Sequence, residues 1–111
     1  MAKTIVKQLD DLWSLLVKLR AGKQCEICCK TEYVQSHHII PRTKYGTRWN
    51  LDNGVALCRH HHLYFAHKDV LAFYDWIKDK RDLNKLELSR HNKPDKAAIK
   101  LYLENEIKNY K

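Results

Sequence analysis

The chain predicts a small α+β domain stapled by a metal, on three observations. Residues 4–20 repeat apolar side chains at helical spacing. Two short β-forming stretches, 33–37 and 54–57, each lead into a Cys or His group. Thiols and imidazoles gather at ligand spacing: Cys25 and Cys28 with two residues between them, His37 and His38, then Cys58, His61 and His62. Such groups are costly to cluster unless something binds them.

With 111 residues the chain is one domain, long enough for a small core that gains from a metal staple. The expected division is an N-terminal helix at 1–22, a zinc-stapled core at 23–68 and a helical extension at 69–111. Net charge is +8 and the pI about 9.4, which fits a polyanionic partner. A soluble basic protein without such a partner fits the same numbers. The first apolar run is broken by Lys7 and by Asp10 and Asp11, so neither a signal segment nor a membrane span is expected. A cytoplasmic location follows, where four cysteines at this spacing read as thiolate ligands and not as disulfides.

The elements follow in order. Ile5, Leu9, Leu12, Leu16 and Leu19 form a helical stripe widened by Val6, Trp13 and Val17, and Ala21-Gly22 ends it. Residues 24–32 make the first metal-binding turn. The strand at 33–37 stops at Pro41. Residues 41–53 read as an ordered, basic loop with Trp49 in the core. The strand at 54–57 delivers Cys58, and a helix starting just after it carries His61 and His62. Asp69 caps a helix over 70–80 with Val70, Phe73, Tyr74 and Ile77 on one side. Residues 81–93 are highly charged and read as irregular. Pro94-Asp95 opens a last helix to about 109, striped by Ile99, Leu103, Ile107 and Tyr110 and decorated by Lys96, Lys100, Lys108 and Lys111.

Cys25 and Cys28 can hold one side of a tetrahedral Zn²⁺, and Cys58 and His61, at the same spacing, the other. The loop closed by that zinc carries His37, His38 and Asn53. Taken alone, the His pair is as well read as ordinary surface, and His60-His61-His62 as a weak adventitious metal patch.

Together, Cys25, Cys28, His37-His38-Ile39-Ile40-Pro41, Asn53, Leu57-Cys58, His61 and His62 resemble the HNH nuclease family, of the ββα-metal fold. The helix before them and Arg48-Trp49-Asn50 with Leu51-Asp52-Asn53 are similar to small phage-encoded members and their recombination-associated relatives. That narrower likeness implies phage packaging or recombination proteins as partners beside DNA, and neither a membrane nor a small-molecule substrate. The resemblance implies a metal-dependent endonuclease that hydrolyses DNA phosphodiesters. His38 matches the general base, His37 and His62 the ligands of a catalytic divalent metal, and Asn53 the residue that orders the loop. His61 stands where the family commonly has Cys. His60 is the alternative register, but His61 keeps the two-residue spacing. Cys29 stands where a Gly often follows and is read as a spectator.

The chemistry agrees with those roles. Histidine titrates near neutrality, so neutral His38 can take a proton from water. A third metal ligand is open. Ala66 lies four residues after His62, whereas His67 is one further and about 140° round an α-helix unless the helix breaks. Two imidazoles plus waters suit Mg²⁺ or Mn²⁺. Arg42, Lys44, Arg48 and Arg59 are the candidate phosphate contacts, by their closeness in the chain to the His pair and Cys58. The rival readings are a catalytically inactive zinc module that binds nucleic acid and an assembly adaptor docking through its N-terminal helix. Both leave His37, His38, Asn53 and His62 without a role.

Overall fold

The computed structural model describes residues 2–110; Lys111, assigned above to the last helix, lies outside them. Helix α1 (Ile5–Arg20) starts at Thr4, whose hydroxyl accepts the Lys7 N–H at 3.2 Å. It buries Leu9, Trp13, Leu16 and Val17. Gly22, at φ 72°, supplies the left-handed residue that ends it.

Strands β1 (Gln35–His38) and β2 (Gly54–Leu57) pair antiparallel, with His37 opposite Val55 and His38 opposite Gly54. The first strand begins two residues later than expected, because Tyr33 takes φ 54° and bends the chain before it. The second has the expected bounds. After β2 the backbone turns into a helix at Arg59 and continues as a π-helix (His61–His67).

Helix α2 (Val70–Ile77) buries Phe73 and Ile77. Val70 and Tyr74, expected on the same side, are exposed. Asp69 stands at the expected cap position and its carbonyl accepts the Phe73 N–H at 3.0 Å, although its side chain makes no capping bond. Residues 81–93 are not irregular throughout: Leu83–Ser89 form helix α3. The Asp82 carboxylate accepts the Lys85 N–H at 3.0 Å, and Leu86 is fully buried. Helix α4 (Lys96–Ile107) is capped by Asp95 and closes with a 3₁₀ turn at Lys108–Tyr110. Leu103 is buried and Ile99 and Ile107 pack beside it, while Tyr110 is exposed and leaves the expected stripe.

Alternation along β2 divides the interior into two layers. Ala56 faces Leu9, Trp13, Leu16, Val17 and Trp49, with Leu103 of α4 on the same side. Val55 and Leu57 face Cys25, Ile39, Ile40, Phe73, Ile77 and Leu86. The result is a mixed α/β domain with a two-stranded sheet between α1 and α4 on one side and the Cys turn, π-helix, α2 and α3 on the other. Gly54 lets α1 approach: a Cβ there would lie 2.4 Å from Val17 Cγ2 and 2.8 Å from Trp13 Cζ2. Among the described residues no helix is long and apolar enough to cross a membrane.

Candidate metal centres and catalytic groove

Cys25, Cys28, Cys58 and His61 converge as one cluster. Cys28 Sγ is 3.8 Å from Cys58 Sγ, and His61 Nδ1 is 3.7 Å from Cys25 Sγ and 3.2 Å from Cys58 Sγ. A tetrahedral Zn²⁺ with Zn–S bonds of about 2.3 Å holds its sulfurs roughly 3.8 Å apart. The cluster is therefore compatible with a structural zinc. Burial opposes ionisation of Cys25, but the backbone N–H groups of Cys28, Cys58 and Ile27 outweigh it and draw its thiol pKa down. His60 is exposed, tilts against Tyr64 and takes no part in the cluster. Cys29 is also outside it, exposed and at φ 63°, a backbone conformation that favours glycine.

The second cluster is built by β1 and the π-helix. Strand alternation sends Gln35 and His37 to one face and Ser36 and His38 to the other. The His37 ring stands edge-on to those of His62 and His67, each 5.0 Å away. His62 Nε2 and His67 Nε2 are 3.0 Å apart. One ion with metal–nitrogen bonds near 2 Å holds two imidazole nitrogens about 3 Å apart. The π-helix is the reason His67 joins. Its i→i+5 bonding returns a residue five positions on to nearly the same face, which an α-helix does not. Ala66, the residue an α-helix would have offered, is buried in the core.

The tautomers are set by neighbours. The Gln35 side-chain oxygen accepts from His62 Nδ1–H, which turns the Nε2 lone pair toward His37 and His67. His38 Nε2 lies 2.9 Å from the Arg48 carbonyl oxygen. A carbonyl only accepts, so Nε2 carries the proton and Nδ1 keeps a free lone pair. The His38 ring is stacked on Trp13, with centroids 3.9 Å apart and planes 9° from parallel. Burial lowers the pKa of His38, though the Arg48 carbonyl and Asp10 oppose the shift. Burial, with His62, His67 and His38 close by, pushes His37 down to about 3. Burial and His67 lower that of His62. Neutral imidazoles are the form that binds metal and accepts protons.

Asn53 is fully buried and ties the loop between the strands. Its Oδ1 accepts the Ile40 N–H at 2.7 Å, and its Nδ2 donates to the carbonyls of Ile40 at 3.0 Å and Thr47 at 3.1 Å. That network fixes the segment running from His38 to Arg48.

His37, His38, His62 and His67 line one groove of about 470 Å³, with Arg42 at its edge. Arg42 is the one proposed phosphate contact that lines it. Lys44 is half-buried away from the groove. Arg59 lies on the zinc side, in a depression with Lys30, Tyr33 and Tyr64. Arg48 is corrected: its guanidinium is buried in a two-pronged pair with Asp10, at 3.0 Å through Nε and 2.8 Å through Nη2, and its carbonyl serves His38. The same carboxylate accepts Trp49 Nε1–H at 2.8 Å, and Trp49 is core as expected.

The chain matches no family model, no curated protein and no solved structure. Its functional reading therefore rests on this geometry and on the motif. Sequence reasoning missed Gln35, Asp10 and the second role of Trp13. Gln35 carried a signal, since it stands two residues before His37 and shares its strand face.

Proposed function

We propose that this protein is a metal-dependent endonuclease of the HNH, ββα-metal type that hydrolyses DNA phosphodiester bonds. One observation carries the reading: a histidine with its Nδ1 lone pair left free opens onto the same groove as three convergent imidazoles. A spectator surface histidine does not need a carbonyl to fix its tautomer, and an inert zinc module does not need a second metal-ligand set.

His38 Nδ1 takes the proton of the attacking water. His37, His62 and His67 would hold a divalent ion, which supplies Lewis acidity at the phosphate and the leaving 3′ oxygen. Arg42 offers a charge for a phosphate at the groove edge. Cys25, Cys28, Cys58 and His61 keep the turn and the π-helix together through a structural zinc. Three imidazoles favour Mn²⁺ or a softer ion over Mg²⁺, which prefers oxygen ligands. Mg²⁺ thus becomes the weaker of the two catalytic metals expected from the sequence.

Plasmid nicking by zinc-loaded protein, titrated with Mn²⁺, Mg²⁺ and Ni²⁺, tests the reading. Wild type should nick, and His38→Ala should keep fold and zinc while losing about 10²-fold or more in rate. An absence of nicking with every metal, or equal nicking by His38→Ala, overturns it.

A further inference from the structure

We infer that Trp13 is the positioning residue of the base: helix α1 presents its indole as a flat platform that holds the His38 ring in the orientation needed for catalysis. The inference rests on the nuclease reading for its catalytic half only.

The indole meets the imidazole face to face, 3.9 Å between centroids and 9° from parallel. A stacked contact between two flat rings buries both faces and resists tilting of either plane. Such a contact leaves the ring edge free, so it can restrain tilt without occupying either nitrogen. The other restraint on the ring is the bond from Nε2 to the Arg48 carbonyl, which fixes one point of the edge. A single hydrogen bond lets a ring rock about its axis, whereas a bond and a stacked plane together fix it.

The platform is itself held. Trp13 Nε1–H donates to the Asn50 carbonyl at 2.8 Å, and Trp13 is 2% exposed. Its ring passes over Gly54, the residue opposite His38 in the sheet, where a Cβ would come within 2.8 Å of it. Asp10, one turn earlier on the same helix, binds the Arg48 guanidinium and Trp49 Nε1–H. Helix α1 thus reaches residues 48–50 through Asp10 and Trp13, and that segment carries the carbonyl that orients His38. A helix that only completed the core would not need to contact the base.

The test compares Trp13→Phe, which keeps an aromatic face, with Trp13→Leu, which keeps apolar bulk without one. Zinc content and thermal unfolding monitor the fold. With saturating Mn²⁺, Trp13→Leu should lower kcat by about tenfold or more with KM within twofold, and Trp13→Phe should recover most of the loss. Independently of activity, the ring protons of His38 in wild type should be shifted upfield by the indole, with nitrogen shifts of a single Nε2–H tautomer. Trp13→Leu should lose the upfield shift and show mixed tautomers. Unchanged kcat in folded Trp13→Leu overturns the inference. If that variant does not fold, wild-type His38 protons without an upfield shift overturn it instead. An enzyme that never nicks while the spectroscopic change appears as described leaves the platform standing and removes only the nuclease reading.

Discussion

Arg48 holds His38 through its backbone and is itself held by Asp10 through its side chain. The carbonyl lies 2.9 Å from His38 Nε2, and the guanidinium meets both oxygens of the carboxylate. One residue therefore links the first helix to the tautomer of His38. It also explains why a cation beside the groove is spent inside the protein and not on a phosphate.

Asp10→Asn should weaken that link. The change removes the charge of the pair while keeping the shape, and charge-assisted hydrogen bonds are worth about 1.5–3 kcal/mol. Burial pushes the Asp10 carboxyl up, but hydrogen bonds from Arg48 and Trp49 outweigh it and hold the pKa below the usual range. The sign follows. The folded pKa is below the unfolded value of about 3.9, so the stabilisation is complete above that value and is lost as pH falls through the folded pKa. Denaturant titrations from neutral pH down to acid should show Asp10→Asn less stable at neutral pH and with a shallower acid decline. Parallel curves with no offset would remove Asp10 from this role.

The cluster of Cys25, Cys28, Cys58 and His61 makes a second prediction. Cys28→Ala should lose zinc and unfold, because metal binding in a domain this small is folding free energy. Cys29→Gly should keep zinc and gain about 0.5–1 kcal/mol, because glycine relieves the strain of φ 63°. Metal analysis with thermal melts reads both. Zinc lost from Cys29→Gly would mean the neighbouring sulfur is a ligand after all.

Asn53→Ala should damage the fold more than its place in a loop suggests. Two backbone groups, the Ile40 N–H and the Ile40 carbonyl, lose their partner at a fully buried side chain, and the Thr47 carbonyl keeps only the Asn50 N–H. Each unsatisfied group costs about 1–3 kcal/mol, less whatever water can enter to repay. A drop in denaturant midpoint beyond that of His38→Ala is expected, along with a slower but measurable nicking rate. An Asn53→Ala protein as stable as wild type would contradict the stapling role.

How much of this could be read from the residues differs by element. The Cys and His ligands were legible because ligand spacing is a local property, and helix α1 because its stripe is long. His67 was legible only as an open candidate: an α-helical wheel sends it about 140° away, and its place in the cluster depends on a π-helix. Helix α3 was hidden by charge, since Leu83 and Leu86 alone mark its inner side and Asp82 its start. Arg48 misled because sequence distance to the His pair says nothing of an Asp10 that lies 38 residues earlier. The stacking of Trp13 on His38 is likewise a long-range fact, although the apolar stripe correctly put that indole in the core.

The last prediction separates Arg42 from Arg48 on DNA. Arg42 is exposed and lines the groove of the three imidazoles, while the Arg48 guanidinium is engaged by Asp10. Each phosphate neutralised on duplex DNA releases condensed counterions and adds about 0.9 to the magnitude of the salt slope. With His38→Ala protein as background, Arg42→Ala should lower the slope by about one and weaken two unrelated duplexes equally. Arg48→Ala should instead lower the melting temperature, since it leaves the Asp10 carboxylate without its cation and with Trp49 Nε1–H as its remaining partner. Its slope should stay within error of the background at temperatures where it remains folded. Binding measured across a salt series, beside thermal melts of the same samples, gives both numbers. A slope change in Arg48→Ala with none in Arg42→Ala would mean that the Asp10 pair opens to DNA and that the groove edge at Arg42 is not where the backbone lies.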